Sequence, residues 1–145
     1  MASELIDADR LEGANQSVLQ TLAPYETVEA RPAGKVLFQE NESPHGVWVL
    51  LSGEVDLVFS SRAGQAKPLR IAGAGQILGL SCVVSGRSHD CSATTRTACV
   101  TGFIPKEHFL SLLDENPTLW FSVLQTLSSE INSCYDCMRT LSAVR

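Results

Sequence analysis

The sequence predicts a mainly β domain with flanking helices, and three observations support that fold class. Between residues 27 and 105, short runs of β-branched and apolar residues recur about every 8–12 positions. Turn residues separate these runs and no helical pattern alternates with them, which favours a sandwich or barrel over a parallel α/β sheet. Helical spacing of apolar residues is confined to the two ends of the chain.

Length and composition exclude several classes of protein. The chain has 145 residues, of which 44% are hydrophobic and 19% charged, as expected for one globular domain with its own core. No apolar run reaches the roughly 18 residues that a membrane span needs, and the acidic N-terminus lacks the pattern of a secretion signal. We therefore expect a cytoplasmic protein with no membrane partner. The net charge of −5 and the scattered basic residues predict that this chain alone binds nucleic acid poorly.

The chain divides into three predicted segments. Residues 1–26 form a helical lead-in that ends near Pro24, residues 27–105 form the β domain, and residues 106–145 form a short helix and a long one. The clearest predicted strands are Val36–Phe38, Val47–Leu51 and Val55–Phe59, each followed by turn residues.

The last segment carries a heptad pattern. A helix from Lys106 to Asp114 is expected to stop before Asn116, which is placed to cap a second helix that begins at Pro117. Apolar residues then follow at alternating spacings of three and four, as in a parallel two-stranded coiled coil. The predicted dimer interface consists of Leu124, Leu127, Ile131, Cys134, Met138 and Leu141. The alternative is a helix that packs on its own domain. No helix cap precedes Arg145, so either a short protein frays there or the chain continues in a longer one.

Several motifs in order give the chain a resemblance to a known family. They are Pro32-Ala33-Gly34, the segment Lys35 to Asn41, the strand from Val47 to Gly53, Gly75-Gln76-Ile77-Leu78-Gly79, Ser92-Ala93 and Asn116-Pro117. Over about residues 19–138 the sequence resembles the sensor domain of Crp/Fnr transcriptional regulators. The resemblance implies a double-stranded β-helix jelly roll related to cyclic nucleotide-binding domains, with the long helix forming a homodimer. In that family a helix-turn-helix domain follows and binds DNA; it is absent from this chain.

The resemblance also implies an effector site. In the family, a phosphate-binding cassette holds a cyclic nucleotide with a glutamate on the ribose and an arginine on the phosphate. The matching positions here are Leu80 and Cys91, so cyclic AMP is expected not to be the signal, although Arg87 could reach the site after a loop shift. The implied effector-binding residues are Ile77, Gly79, Leu80, Ser81, Cys91, Ser92, Ala93, Cys134 and Tyr135. The alternative function is a stand-alone cyclic-nucleotide-binding module with no DNA-binding domain.

The five cysteines predict reduced thiols, because the chain lacks an export signal. Cys134 and Cys137 form a single CxxC, a weak zinc motif. Cys134 would face its twin in the dimer, which leaves an inter-subunit disulfide or shared metal open beside simple packing. Cys82 and Cys91 flank the predicted site, so thiol redox sensing stays open. Iron–sulfur relatives in the family use cysteines near the N-terminus, and none precedes Cys82.

No pattern in the sequence predicts an enzyme. A metal-dependent jelly-roll enzyme needs two closely spaced histidines and a third near a carboxylate, whereas His45, His89 and His108 are isolated. We interpret them as loop and helix-surface residues and predict no metal site. A haem held by His89 or Cys91 stays open. There is no nucleophile elbow, and the glycines near Gly75 lack the lysine of a phosphate-binding P-loop.

Overall fold

The structure is a computed structural model that describes residues 16–129. Helix α1 covers residues 16–22 and leads into a 3₁₀ turn at Ala23–Tyr25. The eight strands are β1 (Thr27–Arg31), β2 (Val36–Phe38), β3 (Gly46–Ser52), β4 (Val55–Ser60), β5 (Ala66–Ala72), β6 (Ile77–Leu78), β7 (Ser92–Thr95) and β8 (Cys99–Pro105). The other helices are α2 (Leu80–Ser85) between β6 and β7, α3 (Lys106–Glu115), and α4, which covers residues 117–129.

The strands form two four-stranded sheets, β1-β8-β3-β6 and β2-β7-β4-β5. Every pairing within them is antiparallel. The chain crosses between the sheets repeatedly, so the predicted jelly roll with flanking helices is confirmed. The three strands predicted most clearly from the sequence are β2, β3 and β4, because alternating apolar residues flanked by turns are the signature of a half-buried strand.

Alternation along β3 divides the buried residues into two cores. Val47 and Val49 point toward the helices, and Trp48 and Leu50 point between the sheets. The helix-side core comprises Val18, Leu22, Val47, Val49, Ile77, Leu80, Val83, Ile104, Phe109, Leu112, Leu113, Leu119 and Val123. The roll interior comprises Leu37, Phe38, Leu50, Val55, Leu57, Ala72, Leu78, Cys91, Ala93 and Cys99.

The junction of the last two helices follows the prediction. The backbone N–H of Leu119 donates to Asn116 Oδ1 at 3.1 Å, so Asn116 caps α4 and satisfies one of the donors left free at a helix start. Leu119 and Val123 pack into the helix-side core, whereas Phe121 and Leu124 point outward and are exposed. Leu127 packs partly against the helix-side core of its own domain. The remaining predicted interface residues Ile131, Cys134, Met138 and Leu141, and also Tyr135 and Cys137, lie outside the described residues.

Candidate effector site

The segment that matches the cassette begins at a left-handed turn. Gly79 has φ 81° and is the N-cap residue of α2, a conformation that favours glycine because a Cβ meets backbone there. A Cβ on Gly79 would also lie 3.2 Å from the Cε1 atom of His89 and 3.4 Å from the carbonyl oxygen of Gly46. The turn therefore packs against the side chain of His89 and the backbone of Gly46.

The residues around this turn face the helices. Leu80 is only 2% exposed and packs in the helix-side core, as does Ile77. Ser81, the next residue of α2, is exposed. An apolar side chain at position 80 fits this environment, because an ionised group there would lose its hydration with no partner.

Strand β7 splits the other predicted residues between two surfaces. Cys91 and Ala93 are buried in the roll interior. Ser92 faces the opposite side, where its Oγ accepts a hydrogen bond from the backbone N–H of Glu40 at 2.9 Å. A shallow cavity of about 310 Å³ lies on that outer face and is lined by Val36, Gln39, Glu40, Asn41, Ser60, Ser92 and Thr94. The predicted effector residues in the described part thus do not converge on one pocket.

The Cys91 thiol has a low tendency to ionise. Burial is the main cause that raises the pKa of Cys91 from 9.0 to about 11, and the nearby Asp90, Cys82 and Glu40 add to the shift. Arg70 acts in the opposite direction. Since the thiolate is the reactive form of cysteine, Cys91 is a poor nucleophile at neutral pH. Cys82 and Cys99 are buried as well.

His89 is a site residue that the sequence interpretation missed. It lies in a loop as expected, but it is 3% exposed rather than on the surface. Its ring stacks on Phe38 with centroids 3.9 Å apart and an interplanar angle of 16°. Its backbone N–H donates to the carbonyl of Glu42 at 2.9 Å, and its own carbonyl accepts from Asn41 at 2.7 Å.

These contacts set the protonation of His89. Burial lowers the pKa of His89 from 6.5, and the carboxylates of Glu42 and Asp90 oppose that shift only in part. The neutral ring therefore joins Phe38 of the roll to the turn at Gly79. No spacing in the sequence could have indicated this role, because the contact joins three separate segments.

The direction of the Arg70 side chain of β5 is a second feature that the sequence interpretation missed. Leu57 of β4 lies opposite Arg70, and Phe59 lies opposite Lys67. Residues directly opposite each other on neighbouring strands share a face, and Leu57 is buried in the roll interior. Arg70 is therefore on the inward face, where its Nη1 donates to Gln76 Oε1 at 3.0 Å.

Within residues 16–129, no three His, Cys, Asp or Glu side chains come together as a metal ion would require. No helix in that part of the chain combines the length and the apolar character of a membrane span.

Comparison with known proteins identifies the domain family. Residues 28–116 match the family model of the cyclic nucleotide-binding domain, and the chain belongs to this family. The potassium channel AKT2 of Oryza sativa subsp. japonica is 25% identical over 93 residues, which is 64% of this chain and 11% of that protein.

Two solved structures show the same fold at low identity. The catabolite activator protein of Thermus thermophilus has a TM-score of 0.76 and 19% identity, with 87% of this chain and 59% of that chain covered. The c-di-GMP responsive global regulator CLP of Xanthomonas campestris has a TM-score of 0.71 and 16% identity, with 88% of this chain and 63% of that one covered. This chain therefore spans less than two thirds of either regulator. The resemblance to Crp/Fnr sensor domains is confirmed at the level of domain family and fold.

Proposed function

We propose that this chain is the effector-sensing and dimerisation domain of a cytoplasmic Crp/Fnr-type transcriptional regulator that does not respond to cyclic AMP. In this proposal residues 1–26 are the helical lead-in, residues 27–105 the sensor roll and residues 106–145 the dimerisation segment. DNA is bound only by a domain outside this chain, and the role of the sensor is binding rather than catalysis. The jelly roll shared with two bacterial regulators supports this assignment.

The observation that carries the proposal is the environment of Leu80 and Cys91. At the position where the family has a ribose-binding glutamate, Leu80 is enclosed by apolar side chains. At the position of the phosphate-binding arginine, Cys91 is a buried thiol whose pKa is raised to about 11. A neutral thiol leaves the cyclic phosphate without a charged partner, and burying an unpaired anion is unfavourable.

Isothermal titration of the reduced chain with cyclic AMP and then cyclic GMP tests this part of the proposal. We expect no binding heat at millimolar nucleotide. Heat with one site per subunit would show that other groups replace the missing anchors, and the cyclic-AMP-independent assignment would then be wrong. A thermal-shift measurement on the same samples supplies an independent readout, because a ligand that binds only the folded state raises the melting temperature.

Dimerisation is supported by the outward face of α4. Trp120 is 39% exposed, Phe121 63% and Leu124 47%, and these residues form an apolar patch along one side of the helix. A second copy of α4 would cover this patch, which includes Leu124 of the predicted heptad, whereas Leu127 of the same heptad packs partly on its own domain. Phe121→Glu should shift sedimentation of the chain from dimer to monomer. Thr118→Glu, at an exposed position of the same helix about 120° around the helix axis from Leu124, is the matched control and should leave the dimer intact; a monomeric wild type would refute the dimer.

The second candidate is a cyclic-nucleotide-binding module that regulates a partner protein without a DNA-binding domain. The similarity over 93 residues to a potassium channel favours it, because the matching segment there belongs to an ion channel. Gel-shift assays with the full-length gene product and fragments of its own promoter separate the two candidates. Specific DNA binding supports the regulator, and its absence under all ligand conditions supports the module.

A further inference from the structure

A β-bulge places two cations on the inward face of β5. The register between β4 and β5 shifts between Leu57 and Val58, so that Leu57 lies opposite Arg70 and Phe59 lies opposite Lys67. Lys67 and Arg70 are three residues apart and would point to opposite faces of a regular strand. Leu69 is the extra residue of the bulge, and it shifts the alternation of side chains by one position, so that Lys67 and Arg70 point to the same face. Both cations therefore lie on the side of the sheet that carries the roll interior.

Inward-facing residues on neighbouring strands connect Arg70 to the segment that matches the cassette. Leu57 pairs with Arg70 on one side and with Ala93 on the other, and Ala93 pairs with Phe38. One continuous row of inward residues therefore runs from Arg70 to the ring that stacks on His89. Arg70 is also near enough to Cys91 to lower the pKa of that thiol against the effect of burial.

Arg70 is held by a hydrogen bond and forms no ion pair within residues 16–129. Its Nη1 donates to Gln76 Oε1 at 3.0 Å, and the backbone N–H of Gly73 donates to the same oxygen at 3.2 Å. Both bonds lie within the connection from β5 of one sheet to β6 of the other, and Arg70 is exposed at this edge of the roll, which we call the open edge. Within residues 16–129 the ion pairs are Arg31–Glu29 and Arg96–Asp56, so neither Arg70 nor Lys67 has an acidic partner there.

We propose that this open edge binds an anionic group of the effector, a carboxylate or a phosphate, through the guanidinium of Arg70, with Lys67 adding positive charge. This inference rests on the proposed sensor function and moves the anion contact from the cassette to β5. A guanidinium presents two parallel N–H donors to an oxyanion. The side-chain NH₂ of Gln76, whose oxygen is already occupied, can donate to the same ligand.

Nuclear magnetic resonance of the ¹⁵N-labelled 145-residue chain tests the site. Inorganic phosphate and acetate are titrated separately, with chloride keeping the ionic strength constant. We expect saturable shifts at the Arg70 Nε–H and the Gln76 side-chain amide for at least one of the two anions. Tighter binding of phosphate or of acetate identifies which oxyanion the site prefers.

Two charge-matched variants make the test specific. Arg70→Gln should weaken the binding at least about tenfold, the loss expected for one charge-assisted contact. Arg62→Gln removes a cation from the exposed turn between β4 and β5 and should leave binding unchanged. Arg70→Lys, which keeps the charge without the planar donor pair, should bind with intermediate affinity and serves if Arg70→Gln does not fold. Equal weakening by Arg62→Gln, or no saturable shift at Gln76, would overturn the inference.

The same variants separate this inference from the proposed function. Cyclic AMP heat in the wild type that disappears in Arg70→Gln would support the Arg70 site and refute cyclic-AMP independence. Phosphate or acetate binding at Arg70 with no cyclic AMP heat supports both. Absence of both signals overturns the Arg70 site and leaves the cyclic-AMP-independent assignment standing.

Discussion

The helix-side core and the roll interior are built from similar apolar residues but differ in their exposure to solvent. The helix-side core is closed, with α1, α3 and α4 on one side and the outer faces of β3 and β8 on the other, and Phe109 lies fully buried within it. The roll interior is closed at Val55 and Ala93 but opens toward Phe59, which is 37% exposed, and Arg70, which is exposed. The buried residues of the helix-side core are thus shielded from solvent, whereas solvent reaches one end of the roll interior.

The difference explains where function-bearing side chains can lie. A charge in the closed core has neither water nor a partner, whereas a charge at the open end stays hydrated until a ligand arrives. Leu80 and Arg70 follow this rule, because each occupies the environment that its side chain tolerates. Under the proposed function, the positions matched to the family's charged anchors are Leu80 and Cys91, and Arg70 is a cation at the open end of the roll.

The comparison predicts that truncating the same side chain in the two regions has very different effects. Phe109→Ala should lower the free energy of unfolding by roughly 3–5 kcal/mol, the range for a buried phenylalanine that leaves a cavity. Phe59→Ala, at the open end, should lower it by only roughly 1–2 kcal/mol, because about a third of that residue already contacts water. Urea unfolding followed by circular dichroism measures both. Similar losses would show that the roll interior is as closed as the helix-side core.

Placing the family's carboxylate into this chain should damage the closed core. Leu80→Glu is expected to cost about 3 kcal/mol of unfolding free energy, because the ionised group would be buried without a partner. Ser81→Glu, one residue further along at an exposed position, should change stability by no more than about 0.5 kcal/mol. The same denaturation experiment applies. Cyclic AMP binding by a stable Leu80→Glu protein would contradict this prediction.

The inward position of Cys91 predicts slow alkylation. Raising the thiol pKa from 9.0 to about 11 reduces the thiolate fraction about a hundredfold, since each pKa unit is a factor of ten. Iodoacetamide should therefore modify Cys91 at least about a hundredfold more slowly in the native chain than in urea. Peptide mass spectrometry at several times measures the rate. Rapid native labelling of Cys91 would place it in solvent and reopen thiol sensing.

His89, where the two regions meet, predicts a pH dependence of stability. Its folded pKa lies below 6.5 because of burial, so the unfolded chain takes up the proton first as the pH falls. Stability is then fully present above pH 6.5 and is lost as the pH falls through the folded pKa. His89→Gln should flatten this part of the profile. His108→Gln is the control: it replaces a histidine whose ring lies in edge contact with Tyr25, 5.5 Å away, and it should retain the pH dependence. An unchanged slope in His89→Gln would show that another group causes the pH dependence of stability.

Sequence patterns predicted the β class, the strands β2, β3 and β4, the helix that starts at Lys106 and the Asn116 cap, because each depends on neighbours in the chain. The resemblance supplied the jelly roll and the positions of Leu80 and Cys91. The sequence did not reveal the buried His89 or the inward Arg70. His89 is buried by Phe38 and Gly79, which are distant in the chain. The direction of Arg70 depends on a bulge that no local signal marked.

The sequence by itself thus determined the β class, several of the strands, the starts of α3 and α4, and the domain family that the chain resembles, since alternation and caps are local properties. Only the tertiary structure decided which core each apolar residue joins and which polar residue faces inward. Sheet register sets those directions, and register depends on pairing between segments that are far apart in the chain. One extra residue in β5 places Lys67 and Arg70 on the same face of the sheet, whereas a regular strand would place them on opposite faces.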